Sequence, residues 1–243
     1  MANPIVIDLS HHNSKPDFKK IKDGGTVGVI LKATEGTGYI DPTFKQYGAE
    51  ADAAGLCVSS YHFLKKGNVE AQMEFYLSVV APAAGDRLVI DYEDKGLTLA
   101  DLETAVQHLW KIAPQCEVTV YGASGFLGSH LGGKKSETLA KTALWVASYT
   151  TASKPTMTGL TGTWPYWSLW QYTDKATLSG ISGPVDGNKW NGTETSLPGW
   201  FHKGGAAPAP TPPEVPNDKP VTVAINVPLG VTCVVTVNGK LLA

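Results

Sequence analysis

Short aliphatic runs that end on an acid or an aromatic recur along this chain, and Leu88-Val89-Ile90-Asp91-Tyr92-Glu93-Asp94 is the sharpest of them. Bounded by Gly85-Asp86 and Lys95-Gly96, it reads as a short buried strand. Residues two apart in a strand share a face, so Asp91 and Glu93 should project together from its carboxyl end. Two carboxylates so placed are costly unless water, partners or shifted pKa values compensate. That cost makes them functional candidates. The plainer reading is a strand surfacing into a loop.

The same kind of run opens the chain at Ile5-Val6-Ile7-Asp8 and returns at 27–33, 56–63, 118–121, 144–149 and 167–172, with Val185-Asp186 as a last short strand. Helical segments fall between the earlier runs. One covers 16–22, capped near Asn13 or Ser14. Another starts at Asp41-Pro42, with the acid as N-cap, and stops at Gly55. A third spans 68–80, with Ala71, Phe75 and Val79 on one face. A capping box at Thr98 and Asp101 leads a fourth to about Ala113. A short helix is expected near 137–141, and none between the runs at 144–149 and 167–172. Strands alternating with helices predict a parallel α/β sheet with right-handed crossovers. With acids and aromatics gathered at strand ends, the pattern fits a modified TIM-like β/α barrel whose last third is helix-poor. The rival open sheet lacks its usual phosphate-binding glycine loop.

At 243 residues there is room for one large domain and an appendage. Composition turns at Gly204. The expected division is a barrel over 1–203, a proline-rich linker over 204–220 and a small β-hairpin tail over 221–243. In the tail, 221–227 and 231–237 meet at Pro228-Leu229-Gly230, with a second turn at Val237-Asn238-Gly239-Lys240. A hairpin of that size cannot bury a core alone, so docking, wall binding or self-association is expected of it. A net charge of −2 gives no footprint for nucleic acid and no polybasic membrane patch. No run reaches the roughly 18 apolar residues of a membrane helix. The N-terminus has no secretory pattern, so synthesis in the cytoplasm without a signal peptide is expected. Cys57, Cys116 and Cys233 are scattered and read as isolated thiols.

Lining up the strand ends brings Asp8, Asp91, Glu93 and Asp186 towards one pocket, with Tyr61, His62, Tyr121, Trp145, Tyr149, Trp170 and Tyr172 around it. Acids among flat aromatic faces suit a carbohydrate. One acid with a raised pKa protonates a glycosidic oxygen, and another stabilises charge at the anomeric carbon. Glu93 lies farther out, with Asp91 beneath it as a like-charged neighbour disfavouring its ionisation, so Glu93 is the expected acid. Plainer roles stand beside these. Asp8 could cap the next helix, Glu35 could pair with Lys32, and the tryptophans could be core. His11 and His12 lack a spaced partner, so no metal or cofactor is expected. A Ser10–His62 triad lacks its nucleophile elbow.

The ordered set Ile7-Asp8-Leu9-Ser10-His11-His12-Asn13, Ile30–Tyr39, Tyr61-His62-Phe63, Ile90-Asp91-Tyr92-Glu93, 144–149, Leu169-Trp170-Gln171-Tyr172 and 183–188 resembles the lysozymes of glycoside hydrolase family 25. The resemblance covers roughly residues 4–200. It implies a muramidase that cuts bacterial peptidoglycan between N-acetylmuramic acid and N-acetylglucosamine. Glu93 would be the proton donor and Asp91 the second catalytic carboxylate, with Asp8 and Asp186 the other acids of the cleft. Lys32, Glu35 and Gln171 join Tyr61, His62, Tyr121, Trp145, Tyr149 and Trp170 as candidate substrate-binding residues. Help from the substrate's own 2-acetamido group, with net retention, is the implied mechanism. Gly187-Asn188 departs from the more usual Leu or Tyr before Asn. A wall-degrading site without a signal peptide fits a phage lysin released through a holin. The alternative is a barrel that binds glycan, or a partner, without cutting. Residues 221–243 match no wall-binding module.

Overall fold

The computed structural model describes residues 5–202 and the backbone of 236–237 and 240–241. The chain divides into two units, Met1–Ala206 and Ala207–Ala243. In the second, Thr236–Val237 pairs antiparallel with Lys240–Leu241. The expected linker and the rest of the tail hairpin, with Cys233, lie outside the described residues. Cys116 is buried and Cys57 partly so, and both are free thiols.

The first unit is a closed barrel. Its staves are β1 (Ile5–Leu9), β2 (Thr26–Glu35), β4 (Cys57–Phe63), β5 (Arg87–Asp91), β6 (Glu117–Ala123), β7 (Ala143–Ala147), β8 (Leu169–Ala176) and β9 (Val185–Trp190). β1 pairs with both β2 and β9, which closes the sheet. β3 (Tyr39–Ile40) folds back on the end of β2, a two-residue pairing with no pattern of its own in the sequence after Gly36 and Gly38. Neighbours run parallel from β1 through β2, β4, β5, β6 and β7 to β8. The wholly parallel sheet expected from the sequence fails at the end, because β9 runs antiparallel to β8 and β1. The reason is length. Residues 177–184 are too few for a crossover, and only an antiparallel return fits.

Helices α1 (Phe18–Asp23), α2 (Phe44–Ala53), α3 (Val69–Val80), α4 (Leu99–Ile112) and α5 (Ser124–Leu131) cover the outside, and a 3₁₀ turn spans Leu139–Lys141. The Thr98–Asp101 capping box is present. Three expectations need correcting. Asp17, not Asn13 or Ser14, caps α1. Asp41 does not cap α2: its carboxylate accepts from Thr43 N and Oγ1 and from the His11 backbone and ring, and Thr43 occupies the cap position. In α3 the buried face is Val69, Gln72, Met73 and Tyr76, not Ala71, Phe75 and Val79. Buried Gln72 hid that face, since it bonds Lys65 N and O at 2.8 and 2.7 Å instead of facing water.

Strand alternation sorts the side chains. Leu88 and Ile90 pack outward under the helices, while Val89 joins Val6, Ile30, Trp145 and Leu169 in the lumen. The amino-terminal end of the lumen is plugged by α6 (Leu197–Phe201). Arg87 donates to Trp200 O and to Thr119 Oγ1, and its guanidinium lies 4.5 Å from the Trp200 ring. Gly28 makes room for the plug: a Cβ there would come within 2.7 Å of Phe201 Cζ. Gly28→Ala is therefore expected to cost about 1–3 kcal/mol by overpacking, read from the denaturant midpoint. An unchanged midpoint would mean that α6 shifts freely.

Candidate active site

With its other end plugged, the lumen opens at the carboxyl ends of the strands. There Asp8, Tyr61, Asp91, Glu93, Tyr121, Trp145, Gln171 and Asp186 line one small pit. Each strand supplies its last inward-facing residues: Asp8 two after Val6, Asp91 two after Val89, Gln171 two after Leu169. Glu93 stands just beyond β5, exposed at the rim, while Asp91 is only 4% exposed.

The four acids form two pairs. Asp91 lies against Glu93 and Asp8 against Asp186, so within each pair the two carboxyls titrate together. Burial raises Asp91 well above the usual carboxylate range, the charge of Glu93 adds to this, and Lys32 opposes it. Partial loss of water on its inner side also raises Glu93; the neighbouring Asp91 carboxyl pulls back, and the charge of Asp186 pushes further up. The order is the reverse of the one expected. Asp91, the deeper acid, takes the larger shift, because it has lost more water. Its Oδ1 is buried with no donor among the described residues.

Asp8, 7% exposed, is raised first by burial and then by the charge of Asp186. Two amides pull the other way. Asn188 Nδ2 donates to Asp8 Oδ2 at 2.7 Å, and Gln171 Nε2 lies 3.3 and 3.2 Å from the two carboxyl oxygens. Trp145 Nε1 in turn donates to Asn188 Oδ1 at 2.7 Å. Asp8 caps no helix. Asn188 was missed as a site residue, although it lies two positions beyond Asp186 on the same face of a strand. Reading that strand as ending at Asp186 concealed it.

Other candidates divide. Lys32 reaches Glu35 at 2.6 Å and lies 4.9 Å from the Phe63 ring centroid, beside the pit rather than lining it. Tyr149 stands at the rim and turns its hydroxyl inward to Gln171. Tyr172, on the outward face with Trp170, packs against the outer core. His62 and Trp170 are corrections. Trp170 packs in the outer core and donates to Ser148 O at 2.7 Å. His62, 0% exposed, lies behind β4 between Thr34 Oγ1 at 2.8 Å and Gln72 Oε1 at 3.2 Å. Each follows an inward residue directly, and alternation sends it outward.

Burial lowers the His62 pKa from 6.5 to about 4, so the folded ring is neutral where the unfolded one begins to charge. Its stabilising effect is complete above pH 6.5 and is lost as pH falls towards 4, about 3 kcal/mol in all. Chemical denaturation at pH 7 and pH 4.5 should show a larger loss for wild type than for His62→Gln. Equal losses would show that His62 does not titrate in this way.

The sequence model of glycosyl hydrolases family 25 matches residues 7–181. This chain belongs to that family. As a family 25 member it is a glycoside hydrolase, and the paired carboxyls are what such an enzyme requires. It is 27% identical over 207 residues to lysozyme M1 of Streptomyces globisporus, covering 79% of this chain and 69% of the relative. It is 28% identical over 200 residues to the N,O-diacetylmuramidase of a Chalaropsis species, covering 74% and 93%. The bacterial lysozyme of Streptomyces coelicolor superposes with a TM-score of 0.72 at 26% identity, covering 83% of this chain and 98% of that one. Among the described residues of this family 25 member, no helix is long and apolar enough to cross a membrane.

Proposed function

We propose that this family 25 hydrolase cuts bacterial peptidoglycan at the β-1,4 bond from N-acetylmuramic acid to N-acetylglucosamine. The observation that carries the reading is the placement of Asp91 and Glu93 side by side in a pit lined by tyrosines, with Asp91 Oδ1 buried and unpartnered among the described residues. Lysozyme and muramidase relatives support the choice of bond.

Two such carboxyls titrate as a unit, and the position of a proton between them depends on what each acid faces. In the free site burial favours it on Asp91. A bound sugar changes that balance. Its acetamido N–H is the donor that the orphaned Asp91 Oδ1 lacks, so the carboxylate is favoured at Asp91 and the proton at Glu93. Glu93 then gives the proton to the glycosidic oxygen as the C1–O bond breaks. The acetamido carbonyl oxygen closes on C1, and the Asp91 carboxylate faces the resulting oxazolinium charge. In the second half, Glu93 takes a proton from water while the water oxygen bonds to C1 and the ring opens. Two inversions give net retention. A barrel that only held glycan would have no need of this pair.

Purified peptidoglycan incubated with the protein should release new reducing ends on N-acetylmuramic acid. Early proton NMR should show the β-anomer forming first. New reducing ends on N-acetylglucosamine would overturn the bond assignment, and the α-anomer first would overturn retention.

A further inference from the structure

Gln171 joins the rim of the pit to its deepest acids. Its Oε1 accepts from Tyr121 OH and Tyr149 OH, both at 2.8 Å, while its Nε2 faces Asp8. This network fixes the amide's orientation. Two phenols with protons to give require the oxygen, and a carboxyl oxygen requires the N–H. Tyr149 is otherwise a rim residue, its side chain 56% exposed, yet its hydroxyl is committed inward. A sugar resting on that ring would press on a group wired to Asp8.

Building on the proposed muramidase reaction, we infer that Tyr149 and Gln171 act as a positioning pair: the phenol holds the amide, and the amide sets the orientation of Asp8 against Asp186. The consequence reaches the proton donor. The way Asp8 is turned decides which of its oxygens meets Asp186, and the Asp186 charge is one that Glu93 feels. Tyr149 thus does two separable things. Its ring supports substrate, and its hydroxyl acts through Gln171.

A double-mutant cycle on soluble glycan fragments separates them. Tyr149→Phe keeps the ring and should lower kcat about tenfold with KM unchanged, whereas Tyr149→Ala should also raise KM. Gln171→Leu should lower kcat about a hundredfold. Added to Gln171→Leu, Tyr149→Phe should then change kcat by less than about twofold, because its route to Asp8 is gone. Melting curves establish that each variant is folded. Wild-type kcat in Tyr149→Phe, or its full loss persisting on Gln171→Leu, would each overturn the pair. Failure of wild type to release reducing ends would overturn the muramidase reading instead.

Discussion

Glu93→Gln should lower release of reducing ends from purified peptidoglycan about a thousandfold, within the range ascribed to a positioned general acid. The side chain keeps its shape and its place at the rim but has no acidic proton to give and no basic oxygen to take one back. Both halves of the proposed reaction therefore fail together. Folding should hardly notice. Glu93 is exposed and the charge of Asp186 opposes its own, so the amide removes repulsion and breaks no packing. A melting temperature within about 2 °C of wild type is expected. Retention of more than about a tenth of the activity would sink the assignment of Glu93 as proton donor.

Asp91→Asn should be nearly as damaging to turnover, about a hundredfold or more, but its effect on stability has the opposite sign. The folded-state pKa of Asp91 is raised well above 3.8 by burial and by Glu93. A raised carboxyl favours folding fully below the unfolded value and loses that effect as pH climbs through the folded value. Wild type therefore carries a cost that grows from pH 3.8 upward, and D91N lacks it. The variant's melting temperature should meet or exceed that of wild type at pH 7, and the gap should shrink as pH is lowered towards 4. The amide of D91N can also donate to Glu93. Lower stability than wild type at pH 7 would show that Asp91 is ionised and well compensated in the free protein.

The barrel and its four acids were legible because β1 and β5 are unambiguous runs whose inward residues end on Asp8 and Asp91. What escaped has physical causes. Tyr61 with His62, and Trp170 with Gln171, were all read as facing the cleft, yet adjacent residues of a strand cannot share a face. Aromatic and polar composition at a strand end does not by itself say which face each residue takes. Polar residues inside the lumen were harder still. Asn188 and Gln171 carry no charge and no motif chemistry of their own, and they matter only because Asp8 lies opposite, a pairing made by closure of the barrel. Gln72 misled in a similar way, since a glutamine on a helix is ordinarily read as solvent-facing.

Closure by β9 also decides where this enzyme can be cut and joined. The family match stops at residue 181, before the strand that pairs with β1 on one side and β8 on the other. A fusion partner attached at that point would discard Asp186 and Asn188 and leave two seams of backbone groups unpaired. It would also remove the α6 plug, exposing Arg87 and the apolar floor beneath the pit. For grafting this catalytic unit onto a targeting module, the junction has to lie beyond His202, whose backbone bridge to Asp86 is the last hydrogen-bonded contact of the barrel among the described residues.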